Sequence, residues 1–312
     1  MPARHSSPST DAARLDGKLA LVTGAYGGIG LHTVQGLARY GAAVILAGRD
    51  PAKLDTAALA VRERQPRATV ETLVMDQADL ASIQRAADAF QATGRPLDLL
   101  INNAAIMAGR ERRTSTDGFE LTFATNHLGH FALTGRLLPA LLGAPAARVI
   151  TVSAKAAQAG TSTDFTSANG YRGGLNGAYA TSKLANLVFT QELARRARAT
   201  TLTAVATHPG VASTGLVDLP AAGRWVLEHL LGRLINTPEQ AAQPSLYAAT
   251  RDDIPDAAYI GPTGRIALSG PPGPVAMPPS ATDPDLGHSL WETSEQLTHV
   301  HYSLDQPHSP HA

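Results

Sequence analysis

Lys18-Leu19-Ala20-Leu21-Val22-Thr23-Gly24-Ala25-Tyr26-Gly27-Gly28-Ile29-Gly30 is the stretch from which the fold can be read. Its first half is a short apolar run that ends in glycine, the pattern of a strand buried on both faces. Glycines follow at once. From Gly28 onward, Ile29, Val34, Leu37 and Ala38 recur at helical spacing until Gly41 stops them. Strand, glycine loop and helix, in that order, make a phosphate-binding turn. Gly24 permits the tight turn after the strand. Gly28 lets the backbone approach a pyrophosphate, and Gly30 lets helix and strand pack closely. The helix N-terminus then offers unpaired N–H groups and a partial positive charge to the anion.

The alternation continues outward from this unit. Residues 42–47, 69–75, 97–101, 148–153 and 203–207 read as strands, and 53–64, 80–93, 119–142 and 178–199 as helices. Strands alternating with helices of this length predict an α/β fold: a doubly wound parallel sheet in a three-layer α/β/α single domain, with right-handed crossovers. Thr237-Pro238-Glu239-Gln240 reads as a capped helix start. Residues 261–284 are dense in proline and glycine and read as loop, with a last short helix over 291–297. The expected organisation is a disordered lead-in over 1–14, one domain over 15–300 and a flexible tail over 301–312.

Composition narrows the function. The 312 residues carry 26 basic and 26 acidic side chains, so nothing draws the chain to nucleic acid or anionic lipid. There is no cysteine, which excludes disulfides, thiolate metal sites and a cysteine nucleophile. No apolar run reaches the ~18 to 20 residues of a membrane span. Residues 1–15 lack the apolar core of a secretory signal. The expectation is a cytoplasmic protein without stable membrane insertion.

The loop spacing, G-x-x-x-G-x-G after Thr23, differs from the G-x-G-x-x-G of two-domain dehydrogenases. It resembles the short-chain dehydrogenase/reductase family, whose Rossmann-like fold binds a nicotinamide cofactor. The resemblance implies cofactor contacts from Gly24, Tyr26, Gly28, Ile29 and Gly30, with Tyr26 where many relatives have Asn or Ser. After the second strand, Gly48 stands where NAD enzymes usually place an acid for the ribose 2′-hydroxyl. Arg49 follows, and a guanidinium fork suits a 2′-phosphate. Asp50 is the competing ribose ligand. NADP(H) is expected over NAD(H). Met75-Asp76-Gln77 resembles the adenine-binding segment, which points to Asp76 and Gln77. Asn102-Asn103-Ala104-Ala105 resembles the N-N-A-G signature, which points to Asn103 and Ala104. His208-Pro209-Gly210-Val211 resembles the turn at the nicotinamide end, assigning Pro209, Gly210, Val211 and, beyond it, Thr214.

Tyr179-Ala180-Thr181-Ser182-Lys183 matches the family's Y-x-x-x-K motif. Residues four apart share one helix face, so phenol and ammonium can meet at one site. A free tyrosine, with a pKa near 10, is a poor base at neutral pH. A nearby Lys⁺ is expected to lower that value by ~2 to 3 units, roughly 3 to 4 kcal/mol. The resemblance gives Tyr179 the proton transfer, Lys183 a bond to the nicotinamide ribose, and Asn126, in Asn126-His127-Leu128-Gly129-His130, a place in the proton relay. His127 and His130 are read as helix residues rather than a metal pair, and no metal is expected. The family usually ends its fifth strand V-S-S. Here it is Val152-Ser153-Ala154, so Ala154 takes the place of the serine that bonds the substrate carbonyl. Ser153 serves if the strand end is shifted by one; Thr161 and Ser162 are the other hydroxyls within reach. Losing such a donor can cost on the order of 10²-fold in rate.

Asn126 to Phe131, Leu184-Ala185-Asn186 and Leu290-Trp291-Glu292 resemble the retinol-dehydrogenase-like and protochlorophyllide-reductase-like subgroup. Residues 212–236 carry Trp225, Val226, Leu227, Leu230, Leu231 and Leu234. They read either as an apolar lid over a lipophilic substrate or as a helix burying one face or meeting another copy. The expected partner is a small carbonyl or alcohol, and the resemblance implies homodimers or homotetramers, with monomers also known. The leading expectation is an NADP(H)-dependent oxidoreductase. The alternative is an NADP(H)-binding relative, impaired by the loss at Ala154, with a sensing or regulatory role.

Overall fold

The computed structural model describes residues 13–107, 109, 111–161, 165, 177–211, 236–264 and 268–304. Within them, β1 (Leu19–Thr23), β2 (Ala43–Gly48), β3 (Val70–Val74), β4 (Leu99–Asn102), β5 (Arg148–Val152), β6 (Thr203–Thr207), β7 (Tyr259–Pro262) and β8 (Pro272–Pro274) form one sheet, ordered β3-β2-β1-β4-β5-β6-β7-β8. Every neighbouring pair is parallel except β7 and β8. The order reverses between β1 and β4, so a crevice opens over their C-terminal ends, where α/β proteins bind ligands.

The helices are α1 (Gly28–Arg39), α2 (Pro51–Arg64), α3 (Leu80–Gln91), α4 (Leu121–Phe123), α5 (Gly129–Arg136), α6 (Leu138–Leu142), α7 (Ala178–Arg196), α8 (Pro238–Thr250) and α9 (Pro284–Thr298). They cover both faces of the sheet. Along β1, Leu19 and Leu21 enter a core with Ile83, Phe131, Phe189 and Trp291, while Ala20 and Val22 enter the opposite core with Val34, Leu37 and Leu54. Strand alternation sends neighbours to opposite faces, and two covered faces explain the unbroken apolar run. No described helix is long and apolar enough to cross a membrane.

Three expectations need correction. Residues 119–142 are not one helix: α4 passes into a π-turn over Ala124–Leu128, then α5, and breaks again at Leu137, where Pro139 opens α6. Proline lacks the N–H that would continue the ladder. Residues 261–284 are not all loop, since they hold the end of β7, all of β8 and a short 3₁₀ turn. Pro272 and Pro274 are tolerated because β8 is an edge strand. The last helix begins at Pro284 rather than 291, because the Asp283 carboxylate caps the N–H of Asp285 at 3.0 Å.

Candidate active site

The glycine loop spans the crevice. Gly24 sits at φ +65°, and a Cβ there would lie 2.9 Å from the Ala104 Cα. A Cβ at Gly30 would meet the Asn103 amide at 2.7 Å. A Cβ on Gly27 or Gly28, by contrast, would enter open space. Gly27 begins α1 with no side-chain cap, so the first N–H groups of the helix face that space without an acceptor from a side chain. Donors and room together fit a dinucleotide's pyrophosphate. The loop is braced from β4: Asn103 Nδ2 donates to the Thr23 carbonyl at 2.8 Å, and the Asn103 and Ala104 N–H groups both donate to Thr23 Oγ1 at 2.9 Å. The Asn103 side chain therefore bonds the neighbouring strand rather than its own turn.

At the far end, Arg49 is exposed and has no ion-pair partner among the described residues. Asp50 is engaged elsewhere. Its carboxylate caps α2 through the Lys53 N–H at 3.1 Å and pairs with Lys53 Nζ at 3.5 Å. The Lys53 N–H, first among its partners, holds Asp50 below the usual carboxylate range. A Cβ on Gly48 would strike the Tyr26 ring at 2.6 Å. Tyr26 thus fills the place an acidic side chain would need, which gives this unusual loop residue a physical role. Asp76 accepts the Ala78 N–H at 2.9 Å, and Gln77 is buried with both amide atoms unpartnered among the described residues.

Tyr179 and Lys183 lie one turn apart at the start of α7. Lys183 Nζ is 5.8 Å from the Tyr179 ring centroid and donates to the Val152 carbonyl at 2.9 Å. Asn186 Nδ2 donates to the same carbonyl at 3.2 Å. Ser153 donates its hydroxyl proton to the Lys183 carbonyl at 2.7 Å. The end of β5 is thereby riveted to α7. The expected lowering of the phenol is not seen. Burial pushes Tyr179 up to about 12, and burial pushes Lys183 down to about 7. Both groups lose water, and the ammonium is spent on a carbonyl rather than on the phenol oxygen.

Ala154 is buried, and its carbonyl accepts the Ala157 N–H at 3.0 Å and the Tyr259 hydroxyl at 3.4 Å. The Thr161 hydroxyl meets that of Thr181 at 3.3 Å. Pro209 and Gly210 follow β6. Gly210, at φ +73°, donates its N–H to His208 Nδ1 at 3.2 Å, and Val211 is exposed. Ser162, Thr214 and the lid segment up to residue 235 lie outside the described residues.

Asn126 occupies the π-turn, a feature frequent at functional sites. Its side chain clamps Ile106: Oδ1 accepts the Ile106 N–H at 2.8 Å and Nδ2 donates to the Ile106 carbonyl at 2.9 Å. Nδ2 also donates to Ser182 Oγ at 3.0 Å, and Ser182 donates to the Tyr179 carbonyl at 2.8 Å. Sequence reasoning passed over Ser182, although it lies inside the Y-x-x-x-K motif. It also passed over Asn236, whose amide donates to the Pro209 and Leu268 carbonyls at 2.9 Å each and pins the turn after β6. No sequence signal marked Asn236 or the backbone of Ile106.

The short chain dehydrogenase family profile matches residues 18–222. Human retinol dehydrogenase 11 is 39% identical over 252 residues, covering 80% of this chain and 78% of that protein. Human retinol dehydrogenase 13 is 37% identical over 294 residues, covering 91% and 86%. An uncharacterized protein from Mycobacterium paratuberculosis superposes with a TM-score of 0.77 at 37% identity, covering 94% of this chain and 97% of that one. A structure from Beutenbergia cavernae, named as an NAD(P)-dependent gluconate 5-dehydrogenase and holding NADP, superposes with a TM-score of 0.61 at 27% identity, covering 76% and 91%.

Proposed function

Because the chain belongs to the short-chain dehydrogenase family, among its retinol-dehydrogenase-like members, and so is an oxidoreductase of CH–OH and C=O groups, we propose that it uses NADP(H) and that Tyr179 moves the proton. The observation that carries this reading is the pairing of Tyr179 and Lys183 on one turn of α7, with Lys183 pinned at the end of β5. A bound nicotinamide supplies or accepts the hydride. Tyr179, kept protonated by burial at neutral pH, donates its proton to a carbonyl oxygen as that oxygen gains negative charge. This protonation state favours reduction of a carbonyl over oxidation of an alcohol. One Lys183 N–H is held by Val152. When protonated, the amine has two more, which can hold a ribose hydroxyl and raise the local positive potential.

The preference for NADP(H) rests on the exposed guanidinium of Arg49, the engagement of Asp50 in capping α2, and the ring of Tyr26 against Gly48. A lipophilic substrate is the reading that suits relatives named as retinol dehydrogenases and the leucine-rich sequence around Trp225. The non-catalytic alternative gains no support from these relatives. The test is NADPH oxidation with aldehydes, ketones and quinones, retinaldehyde among them. The wild-type chain turns over at least one class, and Tyr179→Phe loses ~10²- to 10⁴-fold in kcat. Tight NADPH binding with no turnover across the panel contradicts the proposal.

A further inference from the structure

The π-turn and the helix after it carry two fully buried histidines that the proposed reaction does not use. They differ in what they touch. His127 packs among Phe123, Phe131 and Phe189 and bonds the Ser294 hydroxyl at 2.9 Å, with the Asn186 amide also facing the ring. It behaves as a core residue. His130 is bonded on both sides: Nδ1 lies 2.9 Å from the Asn126 carbonyl, and Nε2 lies 2.9 Å from Thr23 Oγ1.

The partners assign the proton. A carbonyl only accepts, so Nδ1 carries the hydrogen and Nε2 accepts from Thr23. Burial holds the ring neutral, near 3, with Lys183 and His127 as the titratable groups that face it. The Thr23 hydroxyl, which takes the Asn103 and Ala104 N–H groups, gives its proton to His130 at 2.9 Å in preference to the Ile101 carbonyl, which lies farther off at 3.4 Å. The π-turn register, with the Gly129 N–H on the Ala124 carbonyl, is what brings the side chain four residues on to the carbonyl of Asn126. Hydrogen bonds therefore link Thr23, beside the glycine loop, through His130 to the main-chain carbonyl of Asn126, whose side-chain amide in turn bonds Ser182 and, through it, the backbone of Tyr179.

We infer that His130 is a positioning residue for the proposed reaction: by accepting from Thr23 and donating to the Asn126 carbonyl, it sets the proton relay in register with the cofactor loop. The inference rests on the reading of Tyr179 above. An imidazole does this because it places a donor and an acceptor on opposite sides of a rigid ring. Asparagine reaches only the Nδ1 side and glutamine only the Nε2 side.

The experiment uses the full chain. Histidine-labelled protein, followed by ¹⁵N NMR, is expected to show His130 as the Nδ1–H tautomer, without titration from about pH 5 to about pH 9. His130→Leu is expected to lose ~10- to 100-fold in kcat, more than it loses in NADPH affinity, because small misplacements of a relay cost rate. His130→Asn, which keeps a donor for the Asn126 carbonyl, restores most of that rate, and His130→Gln does not. An Nε2–H tautomer overturns the inference. So do Asn and Gln variants that fall equally and in step with Tm, and so does a His130→Leu chain with wild-type kcat. Failure of the reading beneath looks different: Tyr179→Phe then keeps its turnover, or the wild type has none. In that case the tautomer and the NADPH affinity of His130→Leu decide, an Nε2–H ring with unchanged affinity overturning the link.

Discussion

Arg49 and Asp50 are neighbours in different settings, and only the structure separates them. Their order along the chain left both as candidates for the ribose. In the structure the Asp50 carboxylate caps α2, while Arg49 is exposed. Arg49→Ala is therefore expected to weaken NADPH ~10- to 100-fold, as loss of a charged hydrogen bond does, and to leave NADH unchanged in fluorescence titrations. Equal loss for both cofactors would place Arg49 off the 2′-phosphate. Tyr179 and Lys183 were legible because they match the family's Y-x-x-x-K motif, whose spacing puts them on one helix face. Their electrostatics were not, because the Val152 carbonyl that draws Lys183 away is a backbone group 31 residues upstream. Ser153 and Ala154 were legible as a departure. With the Ser153 proton on the Lys183 carbonyl, the position lacks the usual donor, and Ala154→Ser is expected to raise kcat by up to ~10²-fold. An unchanged rate would mean that another hydroxyl already serves.

At the scale of elements, strands β1 to β6 and their helices were readable from apolar runs and periodicity. Breaks inside a helix were not. Residues 119–142 keep one apolar pattern throughout, and the π-turn that aims Asn126 arises from packing against Ile106 and Ser182, residues distant in sequence. β7 escaped notice because Tyr259-Ile260-Gly261-Pro262 ends in two breakers, yet Gly261 is what lets the strand lie against the His208 ring. The helix α8 start was legible and is formed in full. Thr237 Oγ1 accepts the Gln240 N–H at 3.2 Å, and Gln240 Oε1 accepts the Thr237 N–H at 3.0 Å. Thr237→Ala is expected to cost about 1 kcal/mol, or about 2 °C in Tm for a chain of this size. Calorimetry that finds no change would show that α8 frays without loss to the whole.

Over the whole molecule, the buried bases set the pH dependence of stability. His127 and His130 are held near 3 against an ordinary 6.5, and Lys183 near 7 against 10.5, all chiefly by desolvation. Each takes up its proton in the unfolded chain at a higher pH than in the folded one. Stability therefore rises with pH from about 3 to 6.5 through the histidines, and on from about 7 to 10.5 through Lys183. Tyr179 reverses the slope above its ordinary 10, since it ionises first when unfolded. Urea denaturation is expected to give maximal stability between about pH 8 and 10; a maximum near pH 5 would contradict the burial of these groups. The same burial underlies the central claim, that a protonated Tyr179 on α7 delivers the proton in an NADPH-dependent reduction. The most direct test measures NADPH consumption and NADPH affinity together in wild type and Tyr179→Phe, with retinaldehyde and simpler carbonyls. The account predicts turnover in the wild type, a loss of ~10²- to 10⁴-fold in the variant and closely similar affinities. Equal turnover in both chains, or firm NADPH binding with no turnover in either, would contradict it.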